Sequence, residues 1–396
     1  MKKIALMVNS LGFGGAERVI SELSVALADK GYEVHLFVLD DAEVVYPYGG
    51  TLHRISFFCS KNSFLMTLFT LQHLILMRHY KKKLKIDVSI SALDFLNLYN
   101  LLTPCGDRRI PTMHNYFLQC EMTPSFKDNL IENLFSKLVH TADSVVTVSK
   151  TLQKKTRELY PKMPPEKLLC IYNASDIERI RQMAEEKPSD RLCAFTGPKT
   201  FINVVRLSEQ KSVHKLLIAF AAVCEKHSDA KLVLVGDGHL RDKLRSLSRK
   251  LGISKNVLFT GFVKNPFALM ARCRSFVFSS HFEGFGNVLV EAMCCGVSVI
   301  SVDCLCGPRE ILDPDGPSVN GVVYGEYGIL TTPHDGAWTE EPEESTEALA
   351  EAMEKILTDD DLHSHYCQKS AERAMDFSGE KIYQQWFDLI EGEPLE

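Results

Sequence analysis

No stretch of this chain is apolar for long enough to cross a bilayer: the longest nearly uncharged one, Phe64 to Met77, falls short of the roughly 20 residues a spanning helix needs. Cysteine is present, at 12 residues, but there is no CxxC pair and no histidine spacing that would complete a zinc site. A disulfide or zinc framework is therefore not expected, and the thiols read as reduced, in a cytoplasmic protein. Nor does the start, Met1-Lys2-Lys3 running into a short apolar strand and a Gly-rich turn, have the apolar core and small-residue cleavage site of a secretory leader. An excess of positive charge is missing too. Lys and Arg total 45 against 51 Asp and Glu, a net charge of −6, which argues against a protein that coats nucleic acid through its net field.

What is present suits a globular chain of two or three domains, since 396 residues are divided at roughly 150 per domain. Hydrophobic residues make up 45% and charged ones 24%, enough for ordinary cores. Strand-length apolar runs alternate with helical patterns, which favours parallel sheets covered by helices. The first half offers Ile4-Asn9, Val34-Leu39, Val88-Ser91, Ile110-His114, Val145-Val148 and Leu168-Tyr172. A second series starts with Phe201-Val205 and continues through Leu232-Val235, Val257-Thr260, Phe276-Ser279 and Val297-Ser301. Between them the polar stretch Asp176 to Thr200, with Glu185-Glu186-Lys187-Pro188, has the composition of a linker, and the boundary is expected near Lys187. Two doubly wound domains facing each other would leave a cleft lined by the carboxyl ends of both sheets, where such sheets bind ligands. After Ser378, Ile382, Trp386, Leu389 and Ile390 fall at helical spacing, so a helix with one apolar face must dock.

Two loops carry the chemistry. The first strand empties into Leu11-Gly12-Phe13-Gly14-Gly15-Ala16-Glu17-Arg18, where glycines and a helix start can admit a phosphate or simply make a tight turn. A dinucleotide fingerprint would want Gly or Ala at Glu17, although Asp40 stands where a ribose-binding acid belongs. The second loop, His281 to Met293, follows a strand and separates Glu283 and Glu291 by seven residues, with Gly284 and Gly286 after the first acid. That arrangement suits a loop-to-helix turn whose amides hold an anion, with Glu291 about two turns into the helix. A carboxylate there can accept both hydroxyls of a ribose. The bland alternative, a solvated helix residue, fits poorly beside Val288, Leu289, Ala292 and Met293.

The Glu283 to Glu291 segment resembles the EX7E motif of retaining glycosyltransferases. The wider pattern resembles glycosyltransferase family 4 on the GT-B fold: GGAER at the first turn, Asn203-Val204-Val205-Arg206-Leu207 with Lys211, Val235-Gly236-Asp237-Gly238, Phe259-Thr260-Gly261-Phe262, EGFGNVLVEAM, and Gly307-Pro308-Arg309-Glu310-Ile311-Leu312. These motifs span nearly the whole chain. The resemblance implies an α/β protein of two Rossmann-like domains, an acceptor-binding one over residues 1–186 and a donor-binding one over 187–375. It also implies a terminal helix, 376–396, crossing back onto the first. It implies a sugar moved from a nucleoside diphosphate donor, UDP by default, with retention. Arg206 and Lys211 would hold the diphosphate, so that no metal or other cofactor is required. Glu291 would bind the ribose, Glu283 a sugar hydroxyl, and Gly284, Phe285, Gly286, Asn287 and Val288 the sugar and phosphates, with Gly236 and Val263 lining the nucleotide. His114 matches the histidine that contacts the donor sugar, Gly14 and Gly15 the N-terminal glycine loop, and Asp176 a hinge turn.

One departure stands out: the family reads Gly-Arg where this chain has Val205-Arg206, placing a branched side chain where backbone approaches the diphosphate. Other readings of the same residues are a sugar-nucleotide epimerase of this architecture, a non-catalytic nucleotide-sugar-binding subunit, and, more remotely, an NAD oxidoreductase. Paired acids also suggest a glycosidase, but that needs one protonated carboxyl, which Arg and Lys nearby disfavour. Asp313-Pro314-Asp315 and Asp359-Asp360-Asp361 are DxD-like, in turn or helix-start contexts that suit no metal. Residues 64–85 join an apolar stretch to Arg78-His79-Tyr80-Lys81-Lys82-Lys83-Leu84-Lys85, as a helix resting on an anionic leaflet would, or as a packed helix with a solvated basic end. The expected acceptor is a saccharide, lipid-linked or of a surface polysaccharide, reached from the cytoplasmic face of the inner membrane.

Overall fold

The computed structural model describes residues 1–12, 14–39, 43–55, 63–115 and 126–394, without the side chains of 63–70, 94 and 126–128. Asp40, the acid weighed for a ribose, lies outside the described residues. The chain forms two compact units, Met1–Ala174 with Glu380–Glu396, and Ser175–Gly379.

In the first unit seven strands, β1 (Lys3–Val8), β2 (Glu33–Val38), β3 (Thr51–Arg54), β4 (Val88–Ala92), β5 (Arg108–Met113), β6 (Val145–Thr147) and β7 (Leu168–Cys170), form a sheet in the order β3-β2-β1-β4-β5-β6-β7. Every pairing is parallel. Alternation along β1 sends Ile4, Leu6 and Val8 into one core, and Ala5 and Met7 into the other, because successive side chains leave a strand on opposite faces. The helix Gly15–Asp29 covers the first face through Ile20, Leu23 and Leu27, spaced at three and four residues. The helix Gly379–Glu391 joins it there through Ile382, Trp386, Leu389 and Ile390. Its open carbonyl end is met by cations: Lys2 Nζ donates to Ile390 O at 2.8 Å and Arg108 Nη1 to the same oxygen at 3.2 Å, opposite the negative pole of the helix. The terminal helix thus packs as the resemblance implies.

The second unit repeats the plan with β8 (Gly197–Val204), β9 (Lys231–Val235), β10 (Val257–Gly261), β11 (Cys273–Phe278), β12 (Ser298–Val302), β13 (Val322–Tyr324) and β14 (Ile329–Thr331). Their order is β10-β9-β8-β11-β12-β14-β13, parallel except for the hairpin of β13 with β14. The strands β3, β13 and β14 were not among the expected ones, being short and followed or preceded by irregular chain.

By its contacts the second unit takes up the chain from Ser175, ahead of the boundary expected near Lys187. The helix Ile177–Glu185, capped by Asp176 whose Oδ1 accepts from Arg179 N at 3.1 Å, belongs to the second unit. Asn265 Nδ2 donates to Met183 O at 2.8 Å and Arg272 Nη1 to Ala184 O at 3.0 Å, so its carbonyl end is bonded into that unit.

Candidate active site

In the second sheet the strand order reverses between β8 and β11, and the loops leaving the carboxyl ends of two such neighbours diverge to open a crevice. After β8 the backbone continues as an extension held by Val205 N–H donating to Val235 O and Leu207 N–H to Asp237 O, both at 3.0 Å. The approach is so close that a Cβ at Gly236 or Gly238 would land on the carbonyl oxygen of Val205 or Leu207. Gly236 therefore has a packing reason for being glycine. Val205 and Leu207 are buried, and alternation leaves Arg206 on the exposed side between them. The methyls of Val205 point into the core.

The turn Glu209–Lys211 follows, ending in Ser212 with left-handed φ 45° and ψ 35° before the helix Val213–Lys226. It is bonded to the loop after β11. His281 N–H donates to Gln210 O at 2.8 Å, Gln210 Nε2 to Phe282 O at 3.0 Å and Ser279 Oγ to Lys211 O at 2.9 Å. Those bonds bring the Lys211 ammonium onto the Glu283 carboxylate as an ion pair whose side chains keep only 18% and 12% of their exposure. With little water to screen it, this pair carries more Coulomb energy than a surface one.

Glu283 is itself fixed by its N–H, which donates to Leu305 O at 3.2 Å. Gly284 and Phe285 turn inward, Phe285 meeting Phe377 edge-on at 5.4 Å. Gly286, at φ 95°, opens the helix Asn287–Cys294 with no side-chain cap. Close by, Gly307 at φ 98° leaves room for the Phe285 carbonyl where a Cβ would overlap it. In the Gly307–Leu312 motif Arg309 Nε bonds the buried Asp303 carboxylate at 3.1 Å, a bracing role. The helix starts later than expected, so Glu291 stands one turn in, not two. Leu289, Val290, Ala292, Met293 and Cys294 are its buried residues. Asn287, Val288 and Glu291, at spacings of three and four, share the remaining face. Val263 is half-buried just beyond Gly261, whose carbonyl accepts from Gly236 N–H at 2.9 Å. Arg206, Lys211, Glu283, the Gly286 turn, Glu291, Gly236 and Val263 thus all follow carboxyl ends of strands in one sheet.

His114 belongs to the first unit, directly after β5, half-buried, with Nε2 at 2.9 Å from Thr112 Oγ1. Burial lowers its pKa to about 4, so the ring is neutral at pH 7. Gly14 caps the helix Gly15–Asp29 in an extended conformation without a side-chain bond. The Glu17 carboxylate lies where a Cβ of Gly14 would stand, so an acid already faces that helix start and Gly14 and Gly15 make a turn more readily than an anion site. Among the described residues no group of His, Cys, Asp or Glu could hold a metal ion, and no helix is long and apolar enough to cross a membrane. The basic run of 78–85 is corrected in one respect: Lys81 is wholly buried and paired with Asp107 at 2.6 Å, not solvated. Sequence reasoning also missed Lys215, wholly buried against Asp335 and Glu343. Its only signal was a second lysine four residues after Lys211, in the first turn of the helix Val213–Lys226.

Comparison with known proteins agrees with this geometry. Residues 13–179 match Glycosyltransferase Family 4 and residues 185–374 match Glycosyl transferases group 1. The chain is 31% identical to the N-acetylgalactosamine-N,N'-diacetylbacillosaminyl-diphospho-undecaprenol 4-alpha-N-acetylgalactosaminyltransferase of Campylobacter jejuni, over 96% of this chain and 97% of that one. It is 37% identical to an uncharacterized glycosyltransferase of Methanocaldococcus jannaschii over 66% of this chain and 68% of that one. Among solved structures, Anabaena HepE in complex with UDP-glucose superposes with a TM-score of 0.75 at 20% identity, over 99% of this chain and all of that one.

Proposed function

Because the chain belongs to glycosyltransferase family 4 and has the GT-B fold, we propose that it moves a hexose or N-acetylhexosamine from a UDP-sugar to a saccharide hydroxyl with retention. The observation that carries this reading is the pairing of Lys211 with Glu283, on the segment after β8 that also carries Arg206, at the point where the strand order of the second sheet reverses. As the glycosidic bond breaks, negative charge grows on the diphosphate, and two cations held in place stabilise it without reorganising. The charge requirement is met by the chain, so no metal is needed. Glu283 keeps Lys211 aimed and has a second oxygen for a sugar hydroxyl. Glu291 takes the ribose, and amides at the Gly286 turn take phosphate or sugar. The neutral His114 serves a sugar hydroxyl, and the first unit binds the acceptor.

The acceptor hydroxyl attacks on the face the diphosphate leaves, and a donor phosphate oxygen receives its proton. The chain contributes position and charge. The Campylobacter jejuni relative is named for a diphospho-undecaprenol acceptor, and on that likeness the acceptor here is a lipid-linked saccharide met at the cytoplasmic face of a membrane. The subunit reading rests on Val205 obstructing the donor loop; the burial of Val205 supports the catalytic reading over it.

The test is release of nucleoside diphosphate from UDP-, GDP- and ADP-sugars, with an acceptor panel and excess chelator. Chelator-resistant release from a UDP-sugar is expected. Lys211→Ala and Arg206→Ala should lower kcat by about a hundredfold each, in the range of a lost charge-stabilising group. Glu291→Ala should mainly raise donor KM. Unchanged kinetics in all three variants would refute the site, and loss of release in chelator would refute metal independence.

A further inference from the structure

Under β4 and β5 in the first unit lies a run of buried polar side chains that the transfer chemistry above does not use. It begins at Lys81, whose three ammonium protons are all taken: by Asp107 at 2.6 Å, and by Asn100 Oδ1 and Thr103 O at 3.1 Å each. The carboxylate of Asp107 also bonds Ser89, and Ser89 Oγ reaches Asn100 Oδ1 at 2.8 Å. Asn100 then donates from Nδ2 to Ser91 Oγ at 3.2 Å, and Ser91 donates to Asn97 Oδ1 at 2.8 Å. Asn97 Nδ2 donates to Thr112 O at 2.9 Å, while Thr112 Oγ1 donates to Ser91 O at 2.7 Å. The last contact is His114 Nε2 on Thr112 Oγ1 at 2.9 Å.

Proton counting fixes the final bond. A carbonyl cannot donate, so the single hydroxyl proton of Thr112 goes to Ser91 O, and Thr112 Oγ1 can only accept from the imidazole. His114 therefore carries its proton on Nε2, and Nδ1 keeps a lone pair. The far end of the chain is expensive: a fully buried ion pair is often less stable than apolar residues of the same size.

We propose that Thr112, its hydroxyl proton committed to Ser91 O, is a positioning residue that holds His114 in the Nε2–H tautomer, presenting Nδ1 as an acceptor for a sugar hydroxyl. The proposal rests on the role proposed above for His114. Its first readout is nonetheless independent of activity: the tautomer seen by nitrogen NMR of histidine-labelled protein, with the His114 signal identified by its loss in His114→Gln.

The full-length chain should show His114 in one tautomer, protonated at Nε2. Thr112→Val removes the acceptor with little change of shape, and should give a mixture of tautomers and lower kcat by about three- to tenfold, the scale of one hydrogen bond. Thr112→Ser should restore both. A single Nε2–H tautomer surviving in Thr112→Val overturns the proposal, as does a mixture of tautomers persisting in Thr112→Ser. If the tautomers respond as expected while His114→Gln turns over normally, what falls is the role proposed for His114. If wild type itself transfers no sugar, the transferase reading falls, and the NMR result stands apart from it.

Discussion

Glu283 could be picked out from residue types and spacing because a loop acid followed by glycines is a local pattern, whereas Lys211 came only with the resemblance to glycosyltransferase family 4. Where a side chain points is not local. Val205 reads in sequence as an obstruction, yet its neighbours across the sheet turn it inward: its N–H is bonded to Val235 O and its side chain keeps 8% exposure. Replacing it with glycine removes a buried Val worth about 1.5–3 kcal/mol and adds backbone entropy to the unfolded chain of about 0.5–1 kcal/mol. Val205→Gly is therefore expected to lower the unfolding free energy by roughly 2–4 kcal/mol and to leave donor affinity unchanged. Paired denaturation and donor-binding titrations check this, and tighter donor binding in the variant would restore the obstruction. Lys81 was misjudged for the same reason. In a run of basic residues it looks solvated, but it stands four positions after the buried Met77, on the same helix face.

Elements were legible where they are long and doubly buried. β1 and β9 read as near-continuous apolar runs because helices cover both faces of a parallel sheet. β3, β13 and β14 have too few residues to show a period, and the helix Ile177–Glu185 is polar enough to pass for linker until its contacts with Asn265 and Arg272 are seen. The helix Ser63–Leu84 is a mixed case. Its buried side carries Met77 and Lys81, while Leu71, Ile75, Arg78 and Lys82 are exposed at spacings of three and four. That outer stripe, apolar then basic, is what membrane association would use. Flotation on vesicles containing anionic lipid is expected for the wild type and is expected to be lost in the double variant Leu71→Glu, Ile75→Glu. Equal flotation on neutral vesicles, or none on either, would leave this helix as a packed element only.

At the scale of the whole molecule the two units share one response to acid. Burial holds His114 at about 4 and His334 at about 3. The same cause lowers His53, His73, His214 and His363. A histidine whose pKa is lower folded than unfolded contributes nothing above about pH 6.5, where both states are neutral. Below that the unfolded chain takes up protons that the folded one refuses, so stability falls as pH falls, by about 1.4 kcal/mol for each full unit of difference. The carboxylates whose pKa values are lowered, such as Asp107 and Glu391, work in the same direction but only at more acidic pH. The window from about pH 6.5 down to about pH 4 thus belongs to the histidines. His334 is buried in the second unit and His114 sits in the first, so both units should lose stability there. Melting followed at pH 7.5, 6.5, 5.5 and 4.5 should show Tm level between the first two and falling steadily afterwards. His334→Gln, which cannot take up a proton in either state, should flatten that fall. A Tm that stays level to pH 4.5, or a His334→Gln variant with the wild-type slope, would show that these rings are charged in the folded chain.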